Sequence, residues 1–185
     1  MLVSATLMLL PDGRAQAVAE VRASKLPVLV ASRAFRASEL FACLSGELAS
    51  ARETISIKGR PVGHLGVDAR RRMGAAFVPE ERLGHSAVPD FDLVENLILS
   101  RHGASDGTVA GGFVRRGAAR RAAQRVIATM SVRTPGPDAL ARMLSGGNLQ
   151  KFVMGRELDR QLSVLVVNQP TWGVDAGAAA LIRQA

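Results

Sequence analysis

The fold of this chain of 185 residues is indicated most clearly by one stretch, Leu144-Ser145-Gly146-Gly147-Asn148-Leu149-Gln150-Lys151. The apolar residues from Leu149 onward recur at helical spacing, so a helix is predicted to begin at the Ser-Gly-Gly corner. Ser145 is a suitable N-cap, and the glycines let backbone N–H groups turn outward. Outward amides at a helix N-terminus, together with the helix dipole, favour an anion such as phosphate. The same corner also fits a plain helix cap, so both interpretations are open here.

A short apolar run, Leu162–Val167, follows this helix and is rich in valine. Such a run is typical of a strand that is buried on both faces of a parallel sheet. It leads into Asn168 and Gln169, and Gly173-Val174-Asp175 comes shortly after. Polar residues at the carboxyl end of a buried parallel strand lie where α/β sheets bind their ligands. The sequence therefore predicts an α/β protein with a ligand site at this end of the sheet.

With these motifs identified, the chain resembles the ATPases of ABC transporters, in the branch that serves sugar and nucleoside importers. Several motifs match in the family's order and spacing: 77–82 and 88–96 for the Q-loop region, 144–151 for the signature motif, 162–169 for the Walker B strand and 173–175 for the D-loop. The Q-loop stretches resemble the second, C-terminal nucleotide-binding domain of those importers. The resemblance covers about residues 39–185.

The resemblance implies a fold and a domain organisation. The fold class is α/β, a partial P-loop NTPase-like (ABC) domain with a parallel core sheet and a helical subdomain at about residues 81–160. Residues 39–185 would form this partial domain, and residues 1–38 an atypical N-terminal segment that is either diverged or read out of frame. The expected phosphate loop falls on Ala31–Ser38, which contains neither glycine nor lysine. No histidine follows Asp175 to act as the family's switch residue, so we expect a truncated domain.

The resemblance also implies a composite ATP site, in which one domain supplies the phosphate loop and its partner supplies the signature motif. The residues expected to contact ATP are Ser145, Gly146, Gly147, Asn148, Gln150 and Asp175. Asn168 replaces the Asp that supports Mg²⁺, and Gln169 replaces the general base Glu. A neutral amide orients water but does not accept its proton at pH 7. We therefore expect ATP and Mg²⁺ as the family's cofactors, bound weakly or not at all by this chain alone, and no ATPase activity in isolation.

The partners implied by the family are a second nucleotide-binding domain, transmembrane permease subunits that dock near residues 85–100 and, indirectly, a solute-binding protein. The chain would then be cytoplasmic and peripheral on the inner face of the bacterial plasma membrane. No apolar stretch approaches the length of a transmembrane helix. The single cysteine, Cys43, excludes a disulfide within the chain and is expected to be a small buried hydrophobe.

The net charge of +8 suggests a rival function. The densest basic cluster is Arg115, Arg116, Arg120, Arg121 and Arg125, on a segment with the pattern of an amphipathic helix. It could meet RNA or another polyanion, or anionic lipid headgroups. No aromatic stacking platform accompanies it, and a solvated arginine face explains it better. Nucleic acid is therefore not the expected partner.

The remaining pattern predicts several elements. Two strands are predicted at Thr54–Lys58, before a Gly59-Arg60-Pro61 turn, and at Ala75–Val78. Helices are predicted at Glu39–Glu47, Val67–Met73, Leu93–Ser100 and Ala118–Met130. The glycine-rich link 103–112 is predicted to be a mobile loop, and Pro135-Gly136-Pro137 to interrupt the chain before the signature helix.

Overall fold

The computed structural model describes residues 39–101 and 106–168 in full, and the backbone of residues 4–9, 15–20, 28–31 and 37–38. The chain divides into two compact units. The first comprises residues 1–77 and 162–168, and the described part of the second comprises residues 78–161.

The first unit is built on a three-stranded sheet of β3 (Val28–Ala31), β9 (Val164–Asn168) and β6 (Ala75–Val78), with β9 in the middle. Strands β3 and β9 run parallel, with Val28 opposite Leu165. All of β6 is buried, as is β9 from Leu165 onward. These findings confirm the buried strands and the parallel sheet predicted from the apolar runs, although β9 begins two residues later than Leu162.

Helix α1 (Ala37–Ser45) packs against this sheet through Phe41 and Leu44, which lie in one buried cluster with Phe77 and Val166. Helix α2 (Val67–Arg72) contributes Arg70, whose side chain is fully buried. The Arg70 guanidinium donates to the carbonyls of Cys43 and Leu44, at 2.6 and 2.7 Å. A cation at these last carbonyls satisfies groups that the helix itself leaves unpaired. Both predicted helices, at 39–47 and 67–73, are confirmed.

Two hairpins complete the first unit, and one of them corrects a prediction. Strands β1 (Ser4–Leu9) and β2 (Ala15–Glu20) pair antiparallel. Strands β4 (Ser56–Ile57) and β5 (Arg60–Pro61) form a second antiparallel hairpin. The prediction of a strand over Thr54–Lys58 followed by a turn at 59–61 was wrong in its extent. The tight turn is Lys58-Gly59, where both residues have positive φ (53° and 72°), as a two-residue hairpin turn requires.

The second unit is a packing of α3 (Leu93–Arg101), α4 (Arg116–Thr129) and α5 (Gly146–Leu158). Its core consists of buried aliphatic and aromatic side chains from all three helices: Leu93, Leu97, Ala119, Ala122, Val126, Leu149, Phe152 and Val153. Helix α3 begins with a capping box, in which Glu95 N–H donates to the Asp92 carboxylate and Asp92 N–H donates to that of Glu95. The predicted helices at 93–100 and 118–130 are confirmed within two residues.

The link between α3 and α4 differs from the predicted mobile loop in its described part. Strands β7 (Val109–Ala110) and β8 (Phe113–Val114) form a short antiparallel hairpin. Gly111 and Gly112 make its turn with φ of 59° and 80°, so the glycines specify a tight turn. Residues 102–105 of the link lie outside the described part. None of the helices that the structure describes has the length and hydrophobicity to cross a membrane.

Candidate nucleotide-contacting site

The Ser-Gly-Gly corner opens helix α5 as predicted. Ser145 is the N-cap, and its Oγ accepts from the backbone N–H of Asn148 at 3.5 Å. The Asn148 side-chain amide donates to the same oxygen at 2.9 Å. Ser145 and Gly146 are exposed, and Gly147 is half-buried. The start of a 13-residue helix therefore faces solvent with first-turn amides that have no acceptor within the helix, which is the arrangement that favours an anion.

Asn148 and Gln150, two further predicted ATP contacts, have side chains that are engaged within the second unit. The Asn148 Oδ1 accepts from the backbone N–H of Arg133 at 2.9 Å. Gln150 is 2% exposed, and its Oε1 accepts from Arg82 Nε at 3.1 Å. Asn148 thus stabilises the corner, and Gln150 points into the unit. Their contact with ATP stays a prediction.

Backbone hydrogen bonds hold the segment that leads into the corner. Ala141 N–H donates to the Phe91 carbonyl, and Arg142 N–H donates to the Pro89 carbonyl, each at 3.0 Å. Leu93 N–H donates in the opposite direction, to Ala139, at 3.1 Å. Residues 89–93 and 139–142 are consequently fixed to one another. Because Ser145 follows this segment closely, the 89–93 stretch helps to hold the chain that leads into the corner.

Asn168 ends β9, the middle strand of the sheet, and is 3% exposed. Its side-chain Oδ1 has no hydrogen-bond partner in the described part of the chain. A buried acceptor without a donor is unfavourable by about 1–3 kcal/mol, so this oxygen is suited to a donor from outside the sheet. An amide oxygen lacks the charge with which a carboxylate holds Mg²⁺. Residues 39–101 and 106–168 contain no group of three or more His, Cys, Asp and Glu side chains that could hold a metal ion.

Three of the predicted features lie outside the described residues. They are Gln169 at the general-base position, Asp175 of the D-loop, and the side chains at the expected phosphate loop, 31–38. The organisation into 1–38 and 39–185 likewise stays a prediction, as does the assignment of the site residues to ATP.

The arginine cluster on α4 suggested a polyanion as partner, but nearby acidic side chains compensate much of its positive charge. Of the five arginines of the cluster, three form ion pairs: Arg116 with Asp92 and Glu95, Arg120 with Asp138, and Arg125 with Asp159. The side-chain hydrogen bond to Arg120 lowers the pKa of Asp138, and the same bond raises the pKa of Arg120. The face therefore presents far less free positive charge than its sequence indicates, which leaves the polyanion alternative without support.

Cys43 lies half-buried on α1, in agreement with a packing role. Burial raises the pKa of its thiol, and the nearby Glu39 carboxylate adds to that shift, while Arg70 opposes it. A thiol with a raised pKa is mostly protonated at neutral pH and is a weak nucleophile. The cysteine is thus unsuited to catalysis.

The amino-acid sequence of the chain is similar to those of known proteins. No family model matches the chain. The guanosine import ATP-binding protein NupO of Bacillus subtilis is 33% identical over 147 residues, which are 80% of this chain and 29% of that protein. The ribose import ATP-binding protein RbsA 1 of Rubrobacter xylanophilus is 39% identical over 125 residues, 67% of this chain and 24% of that protein. The chain spans less than a third of the length of these relatives.

A structural comparison agrees with the sequence. The dimeric structure of MJ0796, a bacterial ABC transporter cassette, matches with a TM-score of 0.65 and 14% identity, covering 97% of this chain and 77% of that one. The fold is therefore that of an ABC ATPase cassette. By sequence, the chain is a relative of the ATP-binding proteins of sugar and nucleoside ABC importers, so the resemblance drawn from its motifs is confirmed.

Proposed function

We propose that this chain acts as an ATP-binding component of an ABC importer for a simple sugar or a nucleoside. It contributes the Ser145–Gly147 corner to an ATP that the phosphate loop of a partner nucleotide-binding domain holds. The observation that carries this proposal is the solvent-facing, capped N-terminus of α5 at the signature motif. The names of the relatives, guanosine import and ribose import ATP-binding proteins, support the solute class.

The chemistry of the corner is electrostatic. The amides of Gly146 and Gly147 and the hydroxyl of Ser145 donate hydrogen bonds to the terminal phosphate of the partner's ATP, and the dipole of α5 adds favourable potential. The exposed glycine lets the phosphate approach the backbone closely. Asn148 fixes the serine hydroxyl through its side-chain amide. No group at this corner needs to change its protonation state, so it binds and orients the nucleotide without taking part in proton transfer.

We further propose that the isolated chain binds nucleotide weakly and does not hydrolyse it. Asn168 and Gln169 are neutral amides where the family has acids, and an amide cannot take a proton from water at pH 7. Asn168 offers no carboxylate to a Mg²⁺ ion, so no step here is assigned to the metal. Hydrolysis at the composite site then depends on acids supplied by the partner.

The proposed partners are the second nucleotide-binding domain and the transmembrane permease, with the solute-binding protein acting through the permease. Residues 85–100 are the proposed docking segment for the permease. Phe91 and Leu99 in that segment are 39% and 44% exposed, which is the apolar surface that such docking would cover. The chain would accordingly lie at the inner face of the membrane without entering it.

The mutation Ser145→Arg tests the proposal in an assembled importer. Residues 39–185 replace the corresponding segment of a full-length homologous importer, and ATP hydrolysis is measured in proteoliposomes. Because a long cation at the cap occupies the phosphate position, we expect hydrolysis to fall at least about tenfold, as for loss of one oriented donor to a phosphate. Gln124→Arg, at an exposed position of α4, is the matched control and should leave activity unchanged. Equal activity of the two variants would refute the role of the corner.

A further inference from the structure

The contact between Arg82 and Gln150 joins two parts of the second unit that are far apart in sequence. Arg82 Nε donates to Gln150 Oε1 at 3.1 Å across 68 residues. Gln150 lies on the first turns of α5, one residue after Leu149, and is almost completely buried. The contact therefore ties the start of the signature helix to the segment that follows β6.

Arg82 stands at the base of a small closed loop. Ala87 N–H donates to the Arg82 carbonyl at 2.7 Å, and Gly84 N–H donates to the Ala87 carbonyl at 2.8 Å. Ser86 closes the same loop through its hydroxyl and its N–H, both donated to the Glu81 carbonyl. The loop 81–87 is thus held together by its own hydrogen bonds. Its tip, with Leu83 38% exposed, faces solvent.

A second arginine, Arg156, joins the later part of α5 to the loop 81–87, and unlike Arg82 it is almost completely buried. Arg156 Nη1 donates to the carbonyls of Ser86 and Asn96, at 2.9 and 3.1 Å. Arg156 is 3% exposed and is also paired with buried Glu157. This anchor is fully enclosed and serves packing. Arg82, by contrast, is half-buried and belongs to the loop with the exposed tip.

We propose that Arg82 is a positioning residue that helps to set the signature corner through Gln150. This inference deepens the proposed function and rests on it for the meaning of the corner. The guanidinium reaches a side chain five residues after the cap, which is less than two helical turns away. The Arg82 contact therefore acts on α5 close to its exposed end, while Arg156 joins the later part of α5 to Ser86 of the same loop and to Asn96.

Hydrogen exchange on the chain itself tests the contact. Arg82→Met keeps most of the apolar stem and removes the donor. We expect the amides of residues 149–154 to exchange about tenfold faster, the change expected when a hydrogen bond from a charged group is lost. Amides in the middle of α4 should keep their rates. Arg116→Met, which removes an arginine that is ion-paired elsewhere in the same unit, is the control and should leave 149–154 unchanged.

Two further variants separate a positioning role from general destabilisation. Gln150→Met should reproduce the change of Arg82→Met, and the double variant should add nothing to either single change. Arg82→Lys, which retains a charged donor, should restore a large part of the protection. A uniform increase over the whole unit, or no change at residues 149–154, would overturn the positioning role regardless of what the corner binds.

The chimeric importer then links the contact to activity. We expect Arg82→Met to lower kcat for ATP hydrolysis several-fold and Arg82→Lys to restore most of it. If Ser145→Arg abolishes hydrolysis while Arg82→Met does not alter it, the positioning role in the importer is wrong. If neither variant alters hydrolysis but the exchange rates change as expected, the contact holds α5 as described and the proposed function is the part that fails.

Discussion

Asn168 is the residue at which the resemblance to ABC ATPases predicts an acid. It lies at the carboxyl end of the middle strand, and its Oδ1 is buried without a partner in the described structure. An amide in place of an acid of the same shape lacks the charge and keeps an oxygen that can accept a hydrogen bond. Under the proposed assignment, the position keeps its shape and loses its charge.

The variant Asn168→Asp measures how well this position tolerates a charge. Burial should raise the pKa of the new carboxyl above its unfolded value of about 4. A raised pKa in the folded state means that the variant loses stability as the pH rises above the pKa that this carboxyl has in the unfolded chain. We expect a loss of about 1–3 kcal/mol in the free energy of unfolding at pH 7.5 and a much smaller one near pH 4. Urea denaturation at both pH values gives the comparison, and an equal loss at both would contradict it.

Cys43 provides a second test at the level of one residue. Its thiol pKa is raised, chiefly by burial, so at a given pH less of it is thiolate than in an unfolded chain. We expect alkylation by iodoacetamide at pH 8 to be at least about tenfold slower in the native chain than in urea. Because Cys43 is the single cysteine, incorporated label reports this site alone. Equal rates in the two conditions would show that α1 is not packed as described.

The elements of the chain differ in how far they could be predicted from sequence. Strand β6 and helix α3 were predicted because each is an uninterrupted local pattern with clear ends, and the Ser145 cap is likewise specified by its neighbours. The β7–β8 hairpin was missed because two adjacent glycines are compatible with both a loop and a tight turn. The Arg82–Gln150 contact joins residues 68 positions apart, and no local pattern encodes it. Nor does sequence show that acids neutralise the arginines of α4.

The packing of α5 against α4 predicts opposite effects of two glycine substitutions. A Cβ at Gly155 would lie 2.4 Å from Met130 Cγ and 2.9 Å from Val126 Cγ1. A Cβ at Gly117 would meet only the Arg121 side chain, at 3.8 Å. We expect Gly155→Ala to lower the free energy of unfolding by about 1–3 kcal/mol through overpacking. Gly117→Ala should raise it by up to about 1 kcal/mol through helix propensity.

Urea denaturation with a common m-value measures both glycine variants. The pair is informative because the chemical change is identical and both sites lie in helices of the same unit. If Gly155→Ala proved as stable as Gly117→Ala, the close approach of α5 to α4 would be wrong. The signature helix would then lack the support that holds its buried face.

At the scale of the whole molecule, the chain has an ABC cassette fold, and the role proposed for it is a composite one. It covers less than a third of the length of its importer relatives, and its proposed part is to offer α5 to a nucleotide that another domain holds. The parallel sheet provides the altered Asn168 position, and the helical unit provides the corner and its anchors. The proposed division would account for a predicted signature motif together with amides at the positions where acids are predicted.

Photoaffinity labelling in the chimeric importer tests this composite role most directly. An ATP analogue that carries an arylazide on its γ-phosphate is bound to the assembled importer, irradiated, and the labelled peptides are identified by mass spectrometry. We expect label on the tryptic peptide 143–151, which contains the Ser-Gly-Gly corner, together with label on the partner domain's phosphate loop. The isolated chain should take up little label. Label on the partner's loop with none on 143–151 in the assembled importer would contradict the role proposed for this chain.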